Sequence, residues 1–190
     1  LSIRRQRQMC IRDRVNTPAS RRCLNLGSYN YLGFGGVNSF CTPRVMKAAM
    51  ENPVTSGSCA AELGRTKLLT EVEEYTARYV GKEAAMVVGM GFATNSTVLP
   101  ALVSKGDLII SDKLNHNSIV EGARLSGAKI IPFEHNCAGH LELVLQEATN
   151  GAYKYGKIVV VVEGIYSMEG ELCNLKEIVE VCKLYKAHVY

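Results

Sequence analysis

The run Ile158–Glu163, IVVVVE, constrains this chain more than any other stretch. Four consecutive valines leave no polar face, so a strand built from them has to be covered on both sides. Further short apolar strands are expected at Ala84–Val88, Leu108–Ser111 and Lys129–Phe133, with another beginning over Ala187–Tyr190. Helical patterns alternate with them, at Ala93–Val103, Asn115–Ser126, Leu141–Ala148 and Leu175–Lys186. The second of these stops at Gly127, and an earlier helix starting at Lys67 stops at Gly81. Within that earlier helix, Leu68, Leu69, Val72, Tyr75, Tyr79 and Val80 recur near helical spacing. A short helical pattern begins at Pro43. Strands alternating with helices are the mark of βαβ units. The fold class is therefore α/β: a mainly parallel sheet with helices on both faces. The last strand is reached at Tyr190, so the sheet is expected to continue in a longer protein, making this an incomplete large domain.

Charge is distributed unevenly. The formal net charge is +4 over 190 residues. Residues 1–14 carry five Arg and one Asp, whereas residues 15–190 balance 17 Lys+Arg against 17 Asp+Glu. A basic-partner argument would rest on the first fourteen residues alone, and no nucleic-acid partner is expected. No apolar stretch follows those charges, so they do not read as a secretory signal. Residues 1–14 are expected to be a non-native or disordered tail outside the fold. No apolar run reaches the roughly 18 residues a membrane span needs. The seven cysteines form no CxxC and no Cys/His ligand spacing. They read as buried reduced thiols, with neither a disulfide scaffold nor a metal site expected.

In open α/β sheets, ligands bind beyond the carboxyl ends of the strands. Those ends are expected at Gly89–Asn95, Asp112–His116, His135–Asn136 and Glu163–Gly170. The first, GMGFATN, joins a strand to a helix N-terminus, whose free N–H groups and dipole favour an anion such as phosphate. It reads GxGxxN and lacks the third glycine of a dinucleotide fingerprint. On spacing alone, tight packing of a strand–helix turn explains it as well. His116 falls at the start of a helix on the ligand edge, where an imidazole stacks on a flat heterocycle, moves a proton, or merely caps. Glu163 ends the apolar strand and Ser167 follows four residues later, either as ligand contacts or as ordinary loop polarity. No GxSxG elbow supports a serine hydrolase. Tyr29 and Asn30 lie between Gly27 and Gly33 in a loop that either lines a site or packs.

Taken in order, NLGSYNYLGF, AELG, KEAAMVVGMGFATN, LIISDKLNHNSIVEGARLSGA and VEGIYSMEG are far more specific than any one of them. From about Leu24 to Tyr190 the chain resembles the α-oxoamine synthase family of pyridoxal phosphate enzymes. Within that family it looks most like the catalytic second subunit of the serine palmitoyltransferase branch. The resemblance implies a fold-type I PLP-dependent transferase. It implies decarboxylative condensation of L-serine with palmitoyl-CoA to 3-oxosphinganine, in sphingolipid biosynthesis. Gly91 and Phe92 match backbone positions that hold the cofactor phosphate, and His116 matches the histidine stacked on the pyridine ring. Ser167 and Glu163 match side chains near the cofactor, and Tyr29 and Asn30 match substrate-loop positions. The implied organisation is a substrate-loop segment at 15–66, followed by the N-terminal part of the PLP-binding domain at 67–190. A homodimer, or a heterodimer with a related subunit, is implied, on the cytosolic face of the endoplasmic reticulum membrane. The sequence departs from the branch where CAAELG carries Ala60 and Ala61, and where KLLTEVE carries Leu69. Another α-oxoamine synthase using glycine or alanine, or a non-catalytic partner subunit, therefore stays open. The family's Schiff-base lysine and its pyridinium-pairing aspartate are expected beyond Tyr190, so this piece by itself is expected to be inactive.

Overall fold

The computed structural model describes residues 30–190. The basic tail, residues 15–29 and with them Tyr29 lie outside the described residues. The chain divides into two units at Tyr75/Thr76. In the first, helix α1 (Cys41–Glu51) starts two residues before Pro43. Asn38 sets that start, because its side-chain oxygen accepts from the backbone N–H groups of Phe40 and Cys41. Pro43 then falls in the first turn, where a missing N–H costs nothing. Helix α2 (Lys67–Val80) spans the division. Thr66 Oγ1 accepts from Leu69 N at 3.2 Å to begin it, and Gly81, at φ 67°, ends it in the left-handed conformation.

The second unit contains α3 (Gly91–Leu102), β1 (Leu108–Asp112), α4 (Asn117–Ser126), β2 (Lys129–Phe133), α5 (Ala138–Asn150), β3 (Ile158–Val161), α6 (Leu175–Leu184) and β4 (His188–Val189). The four strands form one sheet in the order β2-β1-β3-β4, and every pairing is parallel. Alternation along the strands fills two cores. Leu108 and Ile110 of β1 and Val160 of β3 pack with Phe133, Leu141, Leu145 and Ile178, the cluster that includes α5 and α6. Ile109, Val159 and Val161 point the other way, into Leu99, Val103, Ile119 and Ala123 of the α3–α4 side. The valine run thus belongs to a strand buried on both faces, as its composition demands. Each fully buried Val, Leu or Ile contributes roughly 1.5–3 kcal/mol. The edges are the exposed strands: β4 is exposed throughout, and β2 carries Pro132. Proline lacks a ladder donor and belongs on such an edge.

Several expected boundaries move. Helix α3 begins at Gly91 rather than Ala93, and α5 at Ala138 rather than Leu141. Strand β3 closes at Val161, short of Glu163. The larger correction is Ala84–Val88, which forms no strand of the sheet. Met86 in that stretch is 71% exposed. Apolar residues give a segment the capacity to pair, but a strand exists only where a neighbour's N–H and C=O groups meet it, and these residues join neither edge. The cysteines also differ from expectation. The five within the described residues are free, yet only Cys182 is buried, while Cys59 and Cys137 are exposed. Among the described residues no helix is long and apolar enough to cross a membrane.

Candidate active site at the switch point of the sheet

From β1 the chain steps to β2 on one side, then returns to place β3 on the other. The strand order therefore reverses between β1 and β3, and the crevice beyond their carboxyl ends is where sheets of this kind take ligands. Asn115 closes the base of that crevice. Its Nδ2 donates to the Val161 carbonyl at 2.7 Å and to Ser111 Oγ at 2.9 Å, stitching the loop after β1 to the end of β3. Glu163 completes the bridge, because its carboxylate accepts the backbone N–H of His116.

His116 is the N-cap of α4, and its Nδ1 accepts from Ser118 N at 3.2 Å. Ser118 Oγ meets the same nitrogen at 2.8 Å. The ring itself remains exposed and faces Phe92 edge-on, with centroids 6.3 Å apart and planes at 74°. Phe92 lies in the first turn of α3, and no side chain caps that helix. The N-terminus of α3 thus presents unclaimed N–H groups and a positive dipole end beside an aromatic and an imidazole ring. Gly89 and Gly91 precede and open this helix. Neither has a positive φ, and a Cβ on either would meet nothing within 4 Å. Packing within the chain therefore does not demand glycine at these two positions.

A second cluster was not singled out by the sequence. Asp112, at the end of β1, is 2% exposed. Its Oδ1 accepts from Leu114 N and contacts His135 Nδ1, both at 2.9 Å. Its Oδ2 accepts from Asn136 N at 2.8 Å and from the Tyr166 hydroxyl at 2.9 Å. Burial pushes this carboxyl upward, but the Asn136 and Leu114 amides, then His135 and Tyr166, outweigh it and hold it below the ordinary carboxylate range. The other ring nitrogen of His135 meets Glu171 Oε2 at 3.1 Å. A ring with a carboxylate on each nitrogen needs both N–H donors, which only imidazolium provides. The His135 pKa is accordingly raised, by Asp112 first and against burial, with Glu171 adding to it. Burial first, then Asp112, pushes the Tyr166 phenol well above its usual range, so it stays a donor. The Tyr166 ring also packs edge-on against His135, at 4.4 Å and 88°. Asn136 adds two further ties, donating to the Leu172 carbonyl at 2.9 Å and accepting from Asn174 N at 2.6 Å. Its φ of 54° lies in the left-handed region, which asparagine tolerates better than most residues. Together these contacts clasp the loop at 163–174 across the ends of β1 and β2.

The structure thus brings Phe92, His116 and Glu163 together, with Gly91 beside Phe92. Ser167 sits exposed in a turn of the clasped loop. Asn30 belongs to the first unit, where its Oδ1 accepts from Gly35 N at 2.8 Å. The Asp112–His135–Tyr166–Glu171 cluster was hard to foresee. It joins three separate stretches of sequence, and its one legible signal was that Asp112 and His135 both fall at expected strand ends.

The sequence pattern of the family described as "Aminotransferase class I and II" matches residues 21–190. The chain belongs to that family. Among relatives of this class I and II chain is the rice (Oryza sativa subsp. japonica) "Long chain base biosynthesis protein 2c", 55% identical over 179 residues. That match covers 92% of this chain and 36% of the relative, so the chain spans little more than a third of the curated relative's length. Among solved structures, the Sphingomonas wittichii serine palmitoyltransferase superposes with a TM-score of 0.81 at 29% identity. The superposition covers 90% of this chain and 41% of that one. A serine palmitoyltransferase from S. paucimobilis with a bound PLP–myriocin aldimine matches with a TM-score of 0.75 at 30% identity. It covers 86% of this chain and 41% of that one. The parallel sheet covered by helices is the fold these structures share with the present chain, which forms part of that domain.

Proposed function

We propose that the full-length protein is a pyridoxal phosphate enzyme that condenses L-serine with palmitoyl-CoA, with decarboxylation, to give 3-oxosphinganine. One observation carries this reading: the uncapped N-terminus of α3 with Phe92 stands beside the exposed His116 ring at the switch point of the sheet. A phosphate fits the α3 amides, and glycines that the packing does not require leave the backbone open to it. A flat heterocycle fits against an imidazole face. When bound, the cofactor supplies the electron sink for the carbanion left by decarboxylation. The protein does the positioning. Gly91 and Phe92 hold the phosphate, His116 packs on the ring, and Glu163 fixes His116 through its backbone. Ser167 reaches the cofactor from the clasped loop, and Tyr29 and Asn30 serve the substrate.

The same reading divides the chain into a substrate-loop segment at 15–66 and part of the cofactor domain at 67–190. The Schiff-base lysine is assigned to residues other than those of this sequence, because no lysine here lies in a Ser/Thr-rich loop. The chain alone should therefore not turn substrate over. The working assembly is a homodimer or a heterodimer with a related subunit, at the cytosolic face of the endoplasmic reticulum membrane.

The test is turnover by the full-length protein, together with any partner that copurifies, using serine, glycine and alanine in turn with palmitoyl-CoA. Preferred use of serine, giving 3-oxosphinganine, is expected. Preference for glycine or alanine points to a different α-oxoamine synthase, and cofactor uptake without turnover to a non-catalytic subunit. Failure to take up pyridoxal phosphate overturns the reading.

A further inference from the structure

We propose that Tyr190, Asn95 and Ser118 form a hydrogen-bond relay that fixes His116 in the tautomer with its proton on Nε2. The backbone N–H of Ser118 can only donate, and it points at His116 Nδ1 from 3.2 Å, so that nitrogen offers a lone pair. The Ser118 hydroxyl stands on the same nitrogen at 2.8 Å. Asn95 Nδ2 donates to Ser118 Oγ at 2.9 Å, which leaves the hydroxyl's own proton for Nδ1. The Tyr190 hydroxyl in turn donates to Asn95 Oδ1 at 3.0 Å and keeps the NH2 side of that amide turned toward Ser118. Every donor in the chain Tyr190–Asn95–Ser118–His116 therefore points the same way.

The relay rests on rigid supports. Asn95 lies in α3 and Ser118, 1% exposed, in α4. The two helices meet so closely that a Cβ on Gly122 would fall 2.5 Å from the Asn95 carbonyl oxygen. Tyr190 is held beside β3, its N–H donating to the Val160 carbonyl at 2.9 Å. The consequence is local and chemical. The two ring nitrogens of a histidine are inequivalent, and the partner of one decides what the other can do. With Nδ1 occupied, the exposed edge of His116 carries an N–H donor at Nε2, and the ring cannot flip without breaking the relay. Asn95, Ser118 and Tyr190 are then positioning residues for His116. That they serve catalysis rests on the proposed function; the tautomer itself is a property of the protein without cofactor.

The experiment is nitrogen-15 NMR on histidine-labelled, cofactor-free full-length protein, reading the protonation of each His116 ring nitrogen. Wild type is expected to show a bare Nδ1 and a protonated Nε2. In Asn95→Asp, a carboxylate takes the Ser118 hydroxyl proton, so Ser118 turns a lone pair toward the ring and only its backbone N–H still favours a bare Nδ1; the tautomer ratio should shift toward a protonated Nδ1. Adding Ser118→Ala to that variant cuts the relay and should reverse that shift. A protonated Nδ1 in wild type overturns the proposal. So does a ratio unchanged in Asn95→Asp, or a shift that persists in the double variant through the new charge alone. If Asn95→Asp does not fold, Ser118→Ala decides by itself. It should move the tautomer ratio by about fivefold toward the free-imidazole mixture, the equivalent of one hydrogen bond, and an unchanged ratio sinks the relay. Loss of cofactor uptake by a wild type that shows the expected tautomer would overturn the proposed function and leave the relay standing.

Discussion

Single atoms decide how closely the elements around the site approach. At Gly122 two effects compete. Alanine in a helix interior is favoured over glycine by about 1 kcal/mol. The added methyl, however, would sit 2.5 Å from a backbone oxygen of α3, which has no rotamer to yield with. The clash wins, and Gly122→Ala should destabilise the protein by about 1–3 kcal/mol, read as a lowered urea midpoint of the full-length chain. The same substitution should disturb His116, because α3 supplies both Phe92 and Asn95. Gly127 is a different case. Its φ of 70° ends α4 in the left-handed region, and it is needed for conformation rather than for space.

Among the elements, the loop at 163–174 depends most on charge. His135 and Asp112 hold it, and each has a pKa displaced by the folded state. The His135 value is raised above 6.5, so its contribution is fully present below that pH and is lost as pH rises through the raised value. The Asp112 value is lowered below 3.8, so its contribution is fully present above that pH and is lost as pH falls through the lowered value. The clasp is complete between these limits. His135→Gln should therefore destabilise the full-length protein most in mildly acidic solution. The gap between wild type and variant should narrow as pH rises past neutrality, which paired urea titrations across that range would measure. A gap independent of pH would mean that His135 acts by packing against Tyr166 alone.

At the scale of the whole molecule, the fold and the family together frame the proposed chemistry. The sheet reverses its strand order between β1 and β3, and that reversal gathers α3, the loop after β1 and the loop after β3 at one edge. His116→Ala removes the exposed ring from that edge and leaves the backbone N–H that Glu163 accepts. Full-length His116→Ala also removes the N-cap of α4, so its urea midpoint should fall by the equivalent of about 1 kcal/mol while the protein still folds and binds pyridoxal phosphate more weakly. The loss should be about fivefold to tenfold, the size of one aromatic stacking contact. Titration of the cofactor-free protein with pyridoxal phosphate, followed by absorbance, checks this.

Much of this was legible in the chain itself. Four valines in succession require a strand covered on both faces, and alternation with helices requires a parallel sheet; both hold, because burial pattern and connection length are local properties. Gly81 and Gly127 mark helix ends for the same reason, since a left-handed residue is a local need. The ordered motifs also carried the family. What the sequence could not determine is whatever depends on partners distant along the chain. Ala84–Val88 has the composition of a strand but is no strand of the described sheet, because a ladder needs a neighbour in register, which composition does not supply. Asp112 reads as a strand-end acid until the fold sets His135, Asn136 and Tyr166 around it. His116 was visible as a residue at a ligand edge, but its partners come from α3, α4 and the loop after β3. Local pattern fixes which elements form and which faces they bury; only tertiary structure decides which polar atoms meet, and that meeting sets the charge, the tautomer and the chemistry of the site.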